Sequence, residues 1–242
     1  MADKYFVMSF DDNTTQDKKL LETLRSNGLV ATFNINTGLC GANWEWVADM
    51  VHTPGLTHIR FSEEELSSDL YDGMDIAAHS LTHPSLAALD EAGVIREMKT
   101  DCDNIKRIFG VNVTGMAYPG GSPDTWNDNV IRTILANTPI RYSRTGASTN
   151  SFDLPEYFME WNGTCSISSP DLLPLADKFI ALEPTSDALF YVWGHSFELD
   201  INRTISENFE KLCRKMSCLE GVKNISCSDF YSLYKGKIPS WK

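Results

Sequence analysis

Two carboxylates stand side by side at the end of the first apolar run, in Ser9-Phe10-Asp11-Asp12. Two anions this close raise each other's pKa unless a cation joins them. A second polar stretch, Asp75-Ile-Ala-Ala-His79-Ser80-Leu81-Thr82-His83-Pro84, follows another short apolar run and offers two imidazoles four residues apart. A third imidazole, His195, ends a late apolar run as Gly194-His195-Ser196. Asp12, His79 and His83 suit a divalent cation that keeps open positions for water and substrate. The same ligand types serve non-haem iron oxygenases. The plain alternative is a polar turn at a strand end, where Asp is common, with ordinary surface or capping histidines. His52 and His58 fall in a connecting region and read as surface residues.

These residues can meet only if the chain brings strand ends together. Tyr5 to Phe10 reads as a buried strand, and further strands are expected at Leu29–Ile35, Met74–Ala78, Val111–Ala117, Ile140–Ser143, Ala188–Trp193 and Val222–Ile225. Between them lie helical periods. Gln16–Ser26 carries Leu20, Leu21 and Leu24 on one face. Asn43–Val51 is short and holds Trp44 and Trp46. Ser62-Glu63-Glu64-Glu65 is a capping box that predicts a helix to about Leu70. Leu86–Phe109, with a break near Gly93, turns Ile95, Met98, Cys102, Ile105 and Ile108 inward. Trp126–Ala136, Ser169–Leu182, Ile205–Met216 and Ser228–Tyr234 complete the set. Thr145–Thr164 has no clear period and reads as a long loop.

Strands alternating with helices from end to end imply a largely parallel sheet with right-handed crossovers. About seven such units suggest an α/β barrel or an irregular barrel, with residues 1–242 as one domain rather than two. In such folds the loops after the strands share one face, and chemistry gathers there. An α/β barrel also argues against the oxygenase reading.

Composition narrows the partners. The 242 residues are 42% hydrophobic and 11% aromatic, with a formal net charge of −12. That charge argues against nucleic acid and against a polybasic membrane anchor. No apolar run reaches the roughly 18 residues of a spanning helix, and Met-Ala-Asp-Lys-Tyr carries no leader-like segment, so a cytoplasmic location is expected. The six cysteines form no C-x-x-C pair and read as reduced thiols, with Cys213 and Cys218 the pair nearest to a bridge.

Taken together, Ser9-Phe10-Asp11-Asp12, then His79-Ser80-Leu81-Thr82-His83, then Tyr118-Pro119, then His195 resemble the motifs of the polysaccharide deacetylase family, the NodB-homology domains of carbohydrate esterase family 4. The resemblance spans nearly the whole chain. It implies a distorted (β/α) barrel and hydrolysis of an N-acetyl group from an amino sugar or saccharide. By that likeness Asp12, His79 and His83 would hold zinc, or else cobalt, nickel or iron. Asp11 would be the general base, His195 the general acid, and the backbone N–H of Gly120 an oxyanion donor. Tyr118, Tyr142, Arg144, Trp161 and Trp193 are the expected substrate contacts, for a carbohydrate or a small amide. Two departures stand out. Family members commonly place an Arg shortly before the proline of the third motif, whereas this chain reads Gly115-Met116-Ala117-Tyr118-Pro119. Arg144 is the expected replacement. The carboxylate that should orient His195 is matched only by Glu160-Trp161 or by Asp200. A barrel that keeps the metal and binds a carbohydrate without turnover is the alternative function. The sequence does not set the oligomeric state.

Overall fold

A computed structural model describes residues 2–242. In chain order the elements are β1 (Lys4–Asp11), α1 (Asp17–Ser26), β2 (Thr32–Ile35), α2 (Trp46–Met50), β3 (Asp75–Ala78), α3 (Glu91–Phe109), β4 (Gly115–Ala117), α4 (Asp128–Asn137), β5 (Tyr142–Ser148), β6 (Trp161–Gly163), β7 (Cys165–Ser166), α5 (Leu172–Ala181), β8 (Ala188–His195), α6 (Arg203–Met216), β9 (Val222–Asn224) and α7 (Cys227–Tyr234).

Every strand pairing is parallel, in the order β6-β5-β4-β3-β2-β1-β8-β7. The segment 161–166 closes the sheet on itself. Its first half, β6, pairs with β5, and its second half, β7, pairs with β8. Between them Thr164 donates its N–H to Tyr191 O at 2.7 Å. This is the α/β barrel expected from the alternation of elements, distorted as the resemblance implies. β9 lies against residues 4–6 of β1, below the stretch that β2 takes.

The period-2 alternation of β1 shows how the core is divided. Phe6, Met8 and Phe10 face outward into the layer shared with Leu20, Leu24, Met98, Ile105 and Leu212 of the helices. Tyr5 and Val7 face inward and meet Tyr142, Trp161, Leu189, Tyr191 and Phe230. Ser9 and Asp11 continue that inward row toward the C-terminal mouth. The barrel interior is thus filled with aromatics at the bottom and polar only at the top.

The helices begin and stop for local reasons. Asp90 caps α3 by accepting from Gly93 N at 2.8 Å, and Gly110 ends it in the left-handed conformation. The inward stripe of α3 is Val94, Met98, Cys102, Ile105 and Phe109, turned slightly from the expected one, so Ile95 and Ile108 are only half-buried. The capping box at Ser62 forms, with Glu65 Oε2 accepting from Ser62 N at 3.0 Å, but no helix follows it. Leu66 and Tyr71 are the buried apolar residues there, too few for an amphipathic stripe. The expected loop 145–164 is partly strand, because β5 runs on to Ser148 and β6 begins at Trp161. All six cysteines are free, Cys213 buried and Cys218 exposed. Among the described residues no helix is long and apolar enough to cross a membrane.

Candidate active site

β1 ends at Asp11, in register with Asn34 of β2 and His195 of β8. Neighbours in a parallel register point to the same side of the sheet, so these three side chains share one level at the barrel mouth. Asp11 is buried. Its Oδ1 accepts from Asn34 Nδ2 at 2.8 Å, and its Oδ2 accepts from Arg144 Nη2. The same Oδ2 lies 3.7 Å from His79 Nε2 and 3.8 Å from His195 Nε2. Burial alone would raise the Asp11 pKa, but Arg144, His79 and His195 outweigh it and hold the carboxyl below its ordinary range.

Arg144 answers the missing arginine of the third motif. It sits on β5 directly beside Ala117 of β4, in register. The charge has moved one strand sideways at the same level of the barrel. The guanidinium is buried, with its carbon 4.7 Å from the Trp193 ring centre.

Asp12, His79 and His83 converge, their nearest ligand atoms all within 4.8 Å of one another. Asp12 Oδ1 is 3.9 Å from Nε2 of both imidazoles. His79 Nδ1 donates to Ala117 O at 2.8 Å, which leaves the Nε2 lone pair free. That Nε2 is buried and has no hydrogen-bond partner. Burial, with His79 alongside, pushes the His83 pKa down to about 4, so the ring is neutral near pH 7. A carboxylate and two neutral imidazoles, one with an orphaned lone pair, fit a divalent cation.

The backbone here is strained. Asp12, Asn13, Ser80 and His83 all have positive φ, four of the seven non-glycine residues that do so among the described residues. Such conformations cost about 1–3 kcal/mol each and need surroundings that fix them. Asn13 Oδ1 accepts from Asn36 N at 2.9 Å, and Asn36 Nδ2 donates to Ser80 O at 2.9 Å. From α3, Asp101 accepts from Thr37 N and His79 N, and Glu97 accepts from Thr82 N and Thr82 Oγ1. One face of α3 therefore clamps the loop that carries both histidines.

His195 is oriented by Glu198. Nδ1 is 2.8 Å from Glu198 Oε1, which also accepts from His195 N at 2.9 Å. Desolvation would lower the His195 pKa, but Glu198 above all, with Asp11 and Asp12, outweighs it and pushes the value up to about 9. Neither expected orienter takes part: Glu160-Trp161 lies elsewhere, and exposed Asp200 stands 4.0 Å from Lys19 Nζ.

A cavity of about 240 Å³ opens over these groups. Tyr118, Gly120, Arg144 and Trp193 line it. So do Trp44, Trp46, Val47, Met50 and Phe197, and among these only Trp193 and the two tryptophans of the β2–β3 connection offer indole faces. Tyr118 presents its ring alone, since its hydroxyl donates to Met159 O at 3.0 Å. Tyr142 and Trp161 do not reach the cavity. Both belong to the buried aromatic filling below it, and a Cβ built on Gly115 would fall 1.8 Å from the Tyr142 ring. Tyr142 points the same way as Arg144 but one layer deeper. His58 is also misplaced by its sequence context: it is buried, 3.1 Å from Asp12 Oδ2. His52 is exposed as expected.

A sequence model described as polysaccharide deacetylase matches residues 1–143. The chain belongs to the polysaccharide deacetylase family. A curated chitin deacetylase from Pestalotiopsis is 33% identical over 115 residues, which is 47% of this chain and 33% of that protein, so the chain spans about a third of the relative's length. Among solved structures, the esterase domain of a multidomain xylanase from the hindgut metagenome of Trinervitermes trinervoides aligns with a TM-score of 0.56 at 16% identity, covering 99% of this chain and 95% of its own. The family 4 carbohydrate esterase from Streptomyces lividans, solved with acetate, aligns with a TM-score of 0.53 at 18% identity over 92% of each chain. At these identities the structures establish the fold. The family match holds Asp11, Asp12, His79, His83 and Gly120, while Arg144, Trp193, His195 and Glu198 lie beyond it and rest on the geometry above.

Proposed function

We propose that this deacetylase-family chain is a metal-dependent hydrolase that removes an N-acetyl group from an amino sugar or a related small amide. One observation carries the reading. A single oxygen, Asp11 Oδ2, stands between His79 Nε2 and His195 Nε2, at 3.7 and 3.8 Å. A base placed there can take a proton on one side and face an acid on the other.

Asp12, His79 and His83 would hold the cation. When bound, a divalent ion supplies Lewis acidity and lowers the pKa of its water to about 7. Asp11, kept ionised by Arg144, accepts the proton of the attacking water. His195, protonated at neutral pH and held by Glu198, gives a proton to the departing amine. The backbone N–H of Gly120 would donate to the developing oxyanion, a donor typically worth about 3 kcal/mol. Trp44, Trp46 and Trp193 supply flat apolar faces against which a sugar ring packs.

The test is metal content together with acetate release from N-acetylated sugars and simple amides, for wild type, Asp11→Asn and His79→Ala. Metal near one per chain, with acetate release lost in Asp11→Asn, supports the hydrolase and the base. Metal without turnover on any substrate favours a barrel that binds a carbohydrate without hydrolysing it. Absence of metal overturns the site as drawn.

A further inference from the structure

The metal-ligand carboxylate carries a second cation that the hydrolytic reading does not call for. The connection between β2 and β3, residues 36–74, adds no strand to the barrel. It folds back as a small antiparallel ribbon on the chain just after Asp12. Thr15 N donates to Ile59 O at 2.8 Å and Phe61 N to Asn13 O at 3.1 Å. On the ribbon's other side Arg60 N donates to Ala42 O at 2.9 Å and Trp44 N to His58 O at 3.0 Å. Alternation along an extended segment then decides what faces inward. Ile59 points out and is 37% exposed, while His58 and Arg60 point in and are 2% and 1% exposed.

Both inward residues end on Asp12. Arg60 Nη2 donates to Asp12 Oδ1 at 2.8 Å, and His58 Nε2 is 3.1 Å from Oδ2. Oδ1 is also the oxygen 3.9 Å from His79 and His83, so the guanidinium shares the atom best placed to ligate the metal. Asp12 is the sole carboxylate paired with Arg60 among the described residues. The guanidinium carbon lies 3.8 Å from the Trp44 ring centre, and that ring meets His83 edge-on at 5.3 Å. Removing an arginine from water to meet a single carboxylate is costly, so stability alone does not account for the pair.

We propose that Arg60 is a positioning residue that holds the Asp12 carboxylate aimed in the metal-free protein and, by its charge, weakens metal binding, so that the site keeps its shape empty and takes up its ion exchangeably. The inference rests on Asp12, His79 and His83 being the metal ligands. His58 keeps a hold on the carboxylate when Arg60 is replaced, so loss of the charge need not free the side chain.

The experiment measures Zn2+ and Co2+ affinity by competition with a chromophoric chelator, alongside the melting temperature of the metal-free protein, for wild type, Arg60→Met, Arg60→Gln and Arg60→Lys. Arg60→Met and Arg60→Gln are expected to bind metal at least tenfold more tightly while the metal-free protein melts lower. Arg60→Lys, which keeps the charge, is expected to bind within threefold of wild type. A merely structural arginine would lower the melting temperature and weaken metal binding or leave it unchanged, and that result in folded Arg60→Met or Arg60→Gln overturns the proposal. Arg60→Gln retains a donor to Asp12 and decides the matter if Arg60→Met does not fold. Should both neutral variants fail to fold without metal, refolding them in excess Zn2+ decides it: recovery of folded, metal-loaded protein supports the proposal and no recovery overturns it. Acetate release plays no part in this readout, so an inactive wild type that binds metal refutes the hydrolase and leaves the role of Arg60 standing. A wild type and variants that all bind no metal overturn both.

Discussion

Replacing Arg144 with Ala tests whether an arginine displaced to the next strand supports Asp11. Asp11 and Arg144 are buried together, and Asn34 is the other donor to the carboxylate. Removing one partner of a buried ion pair typically costs about 3–5 kcal/mol. For a chain of this size each kcal/mol lowers the melting temperature by about 2–4 °C, so a loss of about 6–20 °C is expected. Arg144 is the strongest of the influences that hold the Asp11 carboxyl below its ordinary range, so losing the guanidinium raises the Asp11 pKa. Asp11 must be ionised to act as a base, so the acid limb of kcat/KM moves to higher pH. Loss of orientation is expected to cost about 100-fold at the plateau. The assay is acetate release across pH 4–8, below the variant's melting temperature. Arg144→Ala combined with Ala117→Arg returns a guanidinium to the same level from β4 and should recover at least a tenth of the lost rate. A folded Arg144→Ala with kcat/KM within threefold of wild type and an unmoved acid limb would refute the reasoning.

Glu198→Gln should lower the alkaline limb of the rate profile from near 9 toward the ordinary histidine value of about 6.5. The sign for stability follows from the raised folded-state pKa: the contribution of charged His195 is complete below about 6.5 and is lost as pH rises through 9, so urea titrations should show wild type weakening across that window and Glu198→Gln staying flatter. Glu97→Gln loosens the Thr82 end of the histidine loop and should weaken Zn2+ binding by about 10–100-fold, read by chelator competition. Trp46→Ala, at a half-exposed rim position, should raise KM several-fold for a sugar substrate with little change in kcat or melting temperature. Gly121→Ala places a Cβ 2.6 Å from Gly146 N across the β4–β5 mouth, and thermal unfolding should show a loss of about 2 kcal/mol or more.

The parts of the site that were legible are those written on consecutive residues at strand ends. Asp11, Asp12, His79 and His83 needed only the sheet to bring two short motifs together. Arg144 was legible as a charge at the end of the strand after the third motif. Depth was not legible: Tyr142 and Trp161 are aromatics near strand ends like Trp193, yet they sit a layer lower and fill the barrel. Glu198 rather than Asp200 reaches the imidazole because the turn after β8 is a 3-10 turn, in which position i+3 comes back over His195 and i+5 does not. His58 and Arg60 had a signal in the alternation His58-Ile59-Arg60-Phe61, but a four-residue ribbon inside a long connection has no period strong enough to stand out. The helix expected after Ser62 failed for the opposite reason, a correct cap with no apolar face behind it.

The register of β1 against β8 has a kinetic consequence. The eight-residue ladder that sets Asp11 beside His195 joins strands from near opposite ends of the chain. Loop closure over that distance must precede the reward of the pairing, which makes such contacts late and slow to form. During synthesis, β1 through β5 can emerge and pair with Asp11, Arg144 and the histidine loop already gathered, while one edge of β1 stays open until residues 188–195 arrive. A nascent chain therefore gathers Asp11, Asp12, Arg144 and the histidine loop before His195 joins them, and one edge of β1 stays bare until residues 188–195 are made.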